Sequence, residues 1–224
     1  MLTVASMVGN AQSFLTVNHD HFNLPISPDS ASATLFTPGS TPIPLPTLGS
    51  GQTWDYSALS TGGTPIKTSL HPSDNNPNFP NASAFSIYNP FLGSLQIIGS
   101  KQYDLKNTNG WYYLGFETQT AAYAIGGMSG NPTDSLYMLY SFNNFGTDVP
   151  NIEYPVTENS SWSSSYTAFT DFELTVAAFM LNRAPGTIRQ DVQRFDSVVG
   201  SGFLSIDPSN VMAYPCLLVK ETIL

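Results

Sequence analysis

The sequence has few charged residues, and basic residues are the scarcest of them. Among 224 residues, Lys and Arg together number 7 and Asp and Glu 16, which gives a formal net charge of −9 at pH 7. Charged residues make up 10% of the chain, against about 25% in an average soluble domain. Phosphate backbones and anionic membrane surfaces both attract basic proteins. The composition therefore argues against a nucleic-acid-binding protein and against binding to anionic membranes.

Cysteine and long apolar runs are also scarce. Cys216 is the single cysteine, so no disulfide can form within the chain. Its apolar neighbours at positions 217–219 predict a buried thiol in a strand rather than a reactive thiol. No segment approaches the roughly 20 apolar residues of a membrane helix, so we expect no membrane insertion. Hydrophobic residues at 41% and aromatic residues at 12% are nevertheless enough to form a folded core.

The first residues permit two interpretations. Residues 1–12 contain a short apolar run followed by Gly9-Asn10-Ala11, which matches the small-x-small pattern of a signal-peptide cleavage site. The positive region that begins such signals is missing. We expect residues 1–12 to be the remnant of a truncated signal peptide, the alternative being that residues 2–8 form an ordinary first strand. Residues 13–224 are expected to form a single domain, because they contain no repeat and no clear linker.

The spacing of apolar and turn-forming residues predicts an all-β fold with little or no helix. The Asn109-Gly110 pair is typical of a hairpin turn, and the aromatic segment 111–118 follows it as a strand. Polar loops are expected at 71–81, 126–133, 143–164 and 182–186. The other expected strands are 52–57, 94–98, 101–105, 120–125, 135–142, 165–170, 172–181, 187–199, 202–206 and 214–222. About ten strands at such spacing are typical of an antiparallel β-sandwich or a jelly roll.

Three segments are informative when taken together: GQTWDYSALS (51–60), NIEYPVTENSSWSSSY (151–166) and RFDSVVGSGFLSIDPSNVMAYPCLLVKET (194–222). In this order they resemble the N-terminal β-rich module of secreted Bacteroidota proteins that carry a C-terminal sorting domain for type IX secretion. The resemblance implies a secreted or cell-surface protein, and it brings no catalytic residues with it. A sorting domain is missing here, so we expect a fragment, a processed form or a shortened relative.

Two polar clusters contain residue types that bind metals. His19 and His21 would share one face of a strand, but a metal site would need His71 or a carboxylate as a third ligand. Residues 74–78 place oxygen ligands at alternate positions, as a calcium loop does, but they include one carboxylate and no glycine at the bend. Solvent-facing histidines and a loop of Asx turns are the favoured interpretations. We therefore predict no metal and no cofactor.

Catalytic patterns are equally weak. Ser129 lies in GGMSGN, where Asn131 stands in place of the second glycine of a G-x-S-x-G nucleophile elbow, so a hairpin loop is favoured. Glycoside hydrolysis needs a pair of carboxylates, and four acidic residues are close in sequence here, but loops of an acidic protein produce such groups by chance. These residues are Glu153, Glu158, Asp171 and Glu173. The sequence therefore predicts a protein that is not an enzyme.

Aromatic residues and short modification motifs complete the candidate sites. Trp54 and Trp162 are predicted to be core residues, and Val198, Val199 and Phe203 to be strand residues. Trp111, Tyr112 and Tyr113 are a candidate sugar-stacking platform, with a place in the sandwich core as the favoured alternative. Ser135 and Ser197 each follow Asp and precede an apolar residue, which resembles the O-glycosylation acceptor of Bacteroidota. Asn81 and Asn159 begin N-glycosylation sequons, which matter only where eukaryote-like machinery is present.

These observations favour a non-catalytic, extracellular β-sandwich module for adhesion or assembly. Residues 14–17 and 216–220 are apolar, strand-like runs near the chain ends, and unpaired terminal strands promote association with other chains. The alternatives are a filament subunit assembled by strand donation and a carbohydrate-binding module. The expected partners are other copies of the chain, other extracellular proteins or carbohydrate. The competing interpretation of the two terminal runs is that they pair with each other inside one monomer.

Overall fold

The computed structural model describes residues 15–21, 24, 29–34, 45–57, 65–88, 91–92, 95–96, 100–146, 149–205 and 213–224. Helical residues in this part of the chain are confined to α1 (Gly126–Ser129) and to the 3-10 turns His19–His21 and Ala177–Phe179. The prediction of an all-β fold with little helix is confirmed. In chain order, the strands are β1 (Asp29–Thr34), β2 (Gly49–Asp55), β3 (Pro65–Pro72), β4 (Ala84–Tyr88), β5 (Phe91–Leu92), β6 (Leu95–Gln96), β7 (Ser100–Lys106), β8 (Gly110–Thr118), β9 (Ala121–Ala124), β10 (Ser135–Met138), β11 (Ser141–Asn144), β12 (Pro150–Glu153), β13 (Ser161–Val176), β14 (Leu181–Ser205) and β15 (Tyr214–Ile223).

Two sheets build the sandwich. The first has seven strands in the order β1-β3-β4-β7-β8-β11, with β12 also pairing with β8. The second has six strands in the order β15-β14-β13-β10-β9, with β2 beside β14. The pairs within both sheets are antiparallel except β2 with β14, which is parallel. The antiparallel β-sandwich is thus confirmed. It has more strands than expected, because β1, β3 and β4 carry no clear alternation of polar and apolar residues.

The seven-stranded sheet is covered on one face by a loop. Phe79 and Ala82, from the segment that follows β3, pack with the buried side chains of Phe85, Tyr103 and Leu114. The ring of Phe79 is stacked on that of Tyr103, with centroids 4.1 Å apart. The predicted loop at 71–81 is therefore correct from residue 73 onward, and it contributes to the core.

Aromatic packing and one amide join the two sheets. Tyr113 of the first sheet and Tyr166 of the second meet edge to face, and both rings contact Phe145. The buried amide of Asn143 accepts a hydrogen bond from Phe169 N and donates one to Phe169 O, each at 2.8 Å. An asparagine side chain thus replaces a backbone partner where β11 approaches β13.

β13 and β14 form one long hairpin, which corrects the prediction of four shorter strands. β13 continues through residue 171 to Val176, and β14 continues through the expected loop at 182–186. The glycine and proline that suggested a loop have other roles in the strand. A Cβ at Gly186 would lie 2.4 Å from the Phe172 ring, so the glycine makes room for that ring. Segment 172–181 is a strand only as far as Val176, and a 3-10 turn follows.

A β-bulge at Val199 also corrects the prediction, since residues 187–199 and 202–206 were expected to be separate strands. Val198 pairs with Val219 and Gly200 with Leu218, so Val199 is an extra residue on β14. Because the bulge adds one residue, the backbone groups that follow it face the side of β14 opposite to the one that regular alternation would give. Beyond it, β14 pairs with parallel β2 from Gly200 to Ser205.

Three further expectations are corrected or lie outside the described residues. Segment 143–164 is not one loop, because it contains β12 and part of β11 and β13. The expected loop at 126–133 contains the single helical turn α1. Residues 1–12 and Phe14 lie outside the described residues. In the described part of the chain, no helix is long and apolar enough to cross a membrane.

The contact between β2 and β14 generates a prediction about Gly202. A Cβ on this residue would lie 2.0 Å from the backbone oxygen of Gln52. We expect Gly202→Ala to separate the two strands and to lower the free energy of unfolding by about 1–3 kcal/mol, measured by urea denaturation. Gly127→Ala is the matched control, because a Cβ there meets no atom within 4 Å. Equal stability of the two variants would contradict this account of the β2–β14 contact.

Candidate functional site

The outer edge of β15 is the most extensive apolar strand edge that the structure describes. Gln193 and Leu224 exchange both backbone hydrogen bonds, at 3.2 and 2.9 Å. The backbone N–H and C=O groups of successive residues face alternate sides of an antiparallel strand. Those of the even-numbered residues of β15 therefore bond to β14, and those of the odd-numbered residues point away from it. The outward-pointing residues are Pro215, Leu217, Val219, Glu221 and Ile223. No strand among the described residues pairs with this edge.

Side chains on this edge are apolar and accessible. Val219 is 41% exposed and Ile223 59%. Pro215 has no N–H, and it lies at an outward position, where a proline costs no ladder hydrogen bond. Leu217, Val219, Glu221 and Ile223 therefore present N–H donors without a strand partner in the described structure. Such an edge is a template for a further strand.

A groove of about 700 Å³ lies beneath β15. Val156 and the buried Trp162 line its wall and pack with Val198, and Val17 and Leu217 contact this cluster. Trp162 Nε1 is buried and has no hydrogen-bond partner in the described structure. The groove therefore has an apolar wall that is continuous with a buried cluster.

One end of the groove is charged. Arg194 Nε lies 2.8 Å from Asp196 Oδ2 and 2.7 Å from Glu221 Oε2. The N–H of this nitrogen is not aimed at either oxygen, and the Arg194–Asp196 hydrogen bond runs from Nη2 to Oδ1 at 3.2 Å. Arg194 Nη1 also donates to Asn151 Oδ1 at 2.9 Å. The Arg194 guanidinium is thus paired both with the buried carboxylate of Asp196 and with Glu221 of β15.

The terminal runs meet in this region without pairing to each other. Val17 exchanges two backbone hydrogen bonds with Val156, each 2.9 Å. Val17 and Leu217 pack against one cluster, but the backbone of β15 bonds to β14. Cys216 is half-buried rather than buried, and burial raises the pKa of its thiol. The thiol therefore stays protonated at neutral pH.

The three candidate platform residues are divided between two faces of β8. Tyr113 faces the other sheet, and Trp111, two residues away, lies on the same face. Tyr112 points to the opposite face. All three are half-buried. The structure therefore does not bring their rings together in one plane, and a role in sugar binding stays a prediction.

Trp111 hydrogen-bonds to a buried acid that sequence analysis missed. Asp104 is 4% exposed. Burial raises its pKa to about 6, and hydrogen bonds from Gln102 and Trp111 oppose the rise. No local pattern marks Asp104 as buried, because it lies in a segment with ordinary strand alternation. Its burial depends on the pairing of β7 with β8.

The candidate metal ligands have other partners. His19 and His21 lie in a 3-10 turn and not on a strand, so the expectation of one shared strand face is wrong. His71 Nε2 lies 3.0 Å from Ser69 Oγ, and its ring stacks on Phe85. Among the described residues, no group of three His, Cys, Asp or Glu side chains could hold a metal ion.

The 74–78 segment is a loop of Asx turns tied to the protein. Asp74 Oδ1 accepts a hydrogen bond from Asn76 N, and Asn76 Oδ1 accepts one from Asn78 N. Asp74 Oδ2 pairs with Lys101 Nζ at 2.9 Å. Asn76 Nδ2 donates to Glu117 Oε2 at 2.6 Å. The side chains that could ligate calcium thus hold the loop over the core.

The four acidic residues are held in separate contacts. Glu158 accepts hydrogen bonds from Ser50 and Ser201, and so binds β2 to β14. Asp171 accepts one from Thr187 at 2.7 Å, and Glu173 is paired with Arg183. Glu153 is exposed at the end of β12. Ser129 is exposed in α1, where its hydroxyl lies 3.5 Å from Asn131 O.

The modification motifs differ in accessibility. Ser135 and Ser197 are half-buried in strands, and the Asp that precedes each of them is buried. Asp134 accepts a hydrogen bond from Ala177 N at 2.9 Å. Asn81 and Asn159 lie in exposed turns. The use of any of these motifs stays a prediction.

Comparisons of the chain with models of protein families, with curated proteins and with solved structures found no match.

The raised pKa of Asp104 generates a prediction about pH. The folded pKa of about 6 exceeds the unfolded value, so the folded state holds a proton that the unfolded state has lost. This group therefore lowers stability progressively as the pH rises from about 4 to 6, by up to about 2–3 kcal/mol. We expect Asp104→Asn to gain stability relative to the parent over that range, measured by urea denaturation at each pH.

Asp191→Asn is the control of opposite sign. Hydrogen bonds from Thr167 and Arg189 lower the pKa of the exposed Asp191. Its contribution is present above the unfolded pKa and is lost as the pH falls. The Asp104 interpretation fails if both variants diverge from the parent in the same direction.

Trp162 generates a second prediction. Trp162→Ala should cost about 3–5 kcal/mol, because the indole is buried in a packed cluster. Trp162→Phe should cost less than Trp54→Phe, since only Trp54 Nε1 has a partner, Thr47 O at 3.0 Å. The difference should be about 1 kcal/mol in urea denaturation. If Trp162→Ala melts like the parent, Trp162 is not a core residue.

Proposed function

We propose that this chain is a non-catalytic, secreted or cell-surface β-sandwich module that acts in adhesion or extracellular assembly through the outer edge of β15. The observation that carries the proposal is this edge, with its unpaired donors and its apolar side chains. Location outside the cell is supported by the low charge and by the resemblance of segments 51–60, 151–166 and 194–222 to a module of secreted proteins.

A second candidate, assembly by strand donation, is favoured by the groove beneath the same edge. In such assembly a strand adds its backbone to a sheet edge and places alternate side chains in a cleft. The backbone groups of Leu217, Val219 and Glu221 form the unpaired edge, and the same three residues line the groove. A strand added to β15 would continue this apolar face. The two candidates share one contact surface and differ in which segment occupies it.

The proposal predicts self-association that depends on the backbone of Val219. We expect the average mass in sedimentation equilibrium to rise with protein concentration. The N–H of Val219 points away from β14, so Val219→Pro should remain folded. Pro215 already occupies another outward position of the same strand. This variant should stay monomeric. Association of the parent should strengthen with salt, because two chains of net charge −9 repel each other.

Two controls separate backbone pairing from other effects. Val219→Ala keeps the N–H and should still associate. Arg189→Pro places a proline on the unpaired part of β14 and should also associate. Circular dichroism and thermal melting would verify that each variant is folded. A parent that is monomeric at every concentration would contradict self-association, and a Val219→Pro variant that associates like the parent would exclude the β15 edge.

A further inference from the structure

We propose that β15 pairs with β15 of a second copy, antiparallel, about a two-fold axis at Val219. The inference rests on the proposed function, because it takes the β15 edge as the contact surface. It adds the identity of the occupant and the register. The resulting dimer would join the two six-stranded sheets into one continuous sheet.

Hydrogen-bond geometry restricts the registers in which two β15 edges can pair. An antiparallel ladder needs outward-pointing residues opposite each other. These are the odd-numbered residues of β15, so the axis must pass through a residue and not between two. With the axis at Val219, each copy satisfies four outward donors, including the pairing of Leu217 with Glu221 of the second copy. Pro215, which has no donor, lies opposite Ile223 and needs only to accept.

The registers next to this one are less favourable. An axis at Leu218 places Ile223 opposite residue 213, which lies outside β15. An axis at Lys220 also satisfies four donors in each copy, but it places Lys220 directly opposite its own counterpart. Like charges in that position destabilise a strand pair. An axis at Glu221 places the two Glu221 side chains opposite each other and leaves the N–H of Leu217 without a partner. The axis at Val219 places Lys220 opposite Leu218 and Glu221 opposite Leu217, and Glu221 is already paired with Arg194.

The other long unpaired edge of the second sheet is less suited to such pairing. From Leu181 to Val192, β14 bonds only to β13 among the described strands. By the alternation fixed at Gln193, Pro185 points outward on this edge and removes a donor. Arg189 and Asp191, which are paired at 2.9 Å, also point outward. Proline and charged residues on an edge oppose strand addition. On the β15 edge, Pro215 lies at the end of the proposed pairing, and Lys220 and Glu221 lie opposite apolar residues, so four donors can still pair.

The register predicts one specific cross-link. Cys216 of one copy should lie opposite Thr222 of the other, at a position without hydrogen bonds, where Cα atoms are about 4.5 Å apart. That separation permits a disulfide. Within one chain, the same two residues are six positions apart on a strand, about 20 Å, and cannot be bridged. Thr222→Cys therefore supplies a partner for the native thiol of a second copy only.

The test is oxidation of Thr222→Cys with oxidised glutathione, followed by electrophoresis without reductant. The expected result is a covalent dimer that disappears in the double variant Thr222→Cys with Cys216→Ser. The parent should form no covalent dimer under the same conditions, because its two Cys216 thiols would be about 20 Å apart. Leu224→Cys is the control for register, since position 224 would lie opposite the native Cys216 only with the axis at Lys220, and this variant keeps Lys220.

Three outcomes overturn the inference. A Thr222→Cys variant that forms no covalent dimer would exclude the Val219 register. Equal cross-linking with and without Cys216 would show contact between the introduced cysteines, which this register separates. Cross-linking of the Leu224→Cys control would place the axis at Lys220. If any of these occurs while the parent still self-associates and Val219→Pro does not, the β15 edge remains the contact surface and only the pairing proposed here fails.

Discussion

Backbone pairing along β14 is the constraint on which the rest of the structure depends. This strand of 25 residues pairs with β13 along its first part and with β15 from Arg194 to Leu204, and it holds β2 beyond the bulge. The groove exists because β14 and β15 extend over Val156 and Trp162. The unpaired edge exists because β15 is the last described strand on that side. Both features of the candidate site are thus set by one strand.

Sequence predicted the parts of the fold that are determined locally. The hairpin before strand β8 is determined by neighbouring residues and is found where it was expected, although residues 107–109 form the turn and Gly110 already begins the strand. Trp54 and Trp162 are buried as predicted. The expected loop at 182–186 was wrong for a physical reason. Pro185 points to the unpaired edge, where its missing N–H costs no ladder hydrogen bond, and Gly186 makes room for the Phe172 ring. Neither residue therefore interrupts the strand.

The candidate site was less accessible to sequence reasoning. Arg194, Asp196 and Glu221 are brought together by the register of β14 and β15, which no local pattern encodes. The apolar character of the two terminal runs is evident from the sequence, but whether either run forms a free edge depends on how the sheet is assembled. The three segments that resemble a secreted module meet around β14, since β2, β13 and β15 all pair with it. That contact explains how they act as one structural unit, whatever their origin.

The bulge at Val199 makes chain length, and not only side-chain identity, important at one point of β14. Its neighbours Val198 and Gly200 pair with the consecutive residues Val219 and Leu218, so deleting Val199 would replace the bulge by regular pairing and keep the later register. One residue inserted after Gly200 would instead move Ser201 into the place of Gly202, where the oxygen of Gln52 leaves no room for a side chain. Insertions should therefore be tolerated poorly between Gly200 and Gly202. The turn that contains the exposed Phe179 and Met180 should accept them readily, because no buried residue depends on it.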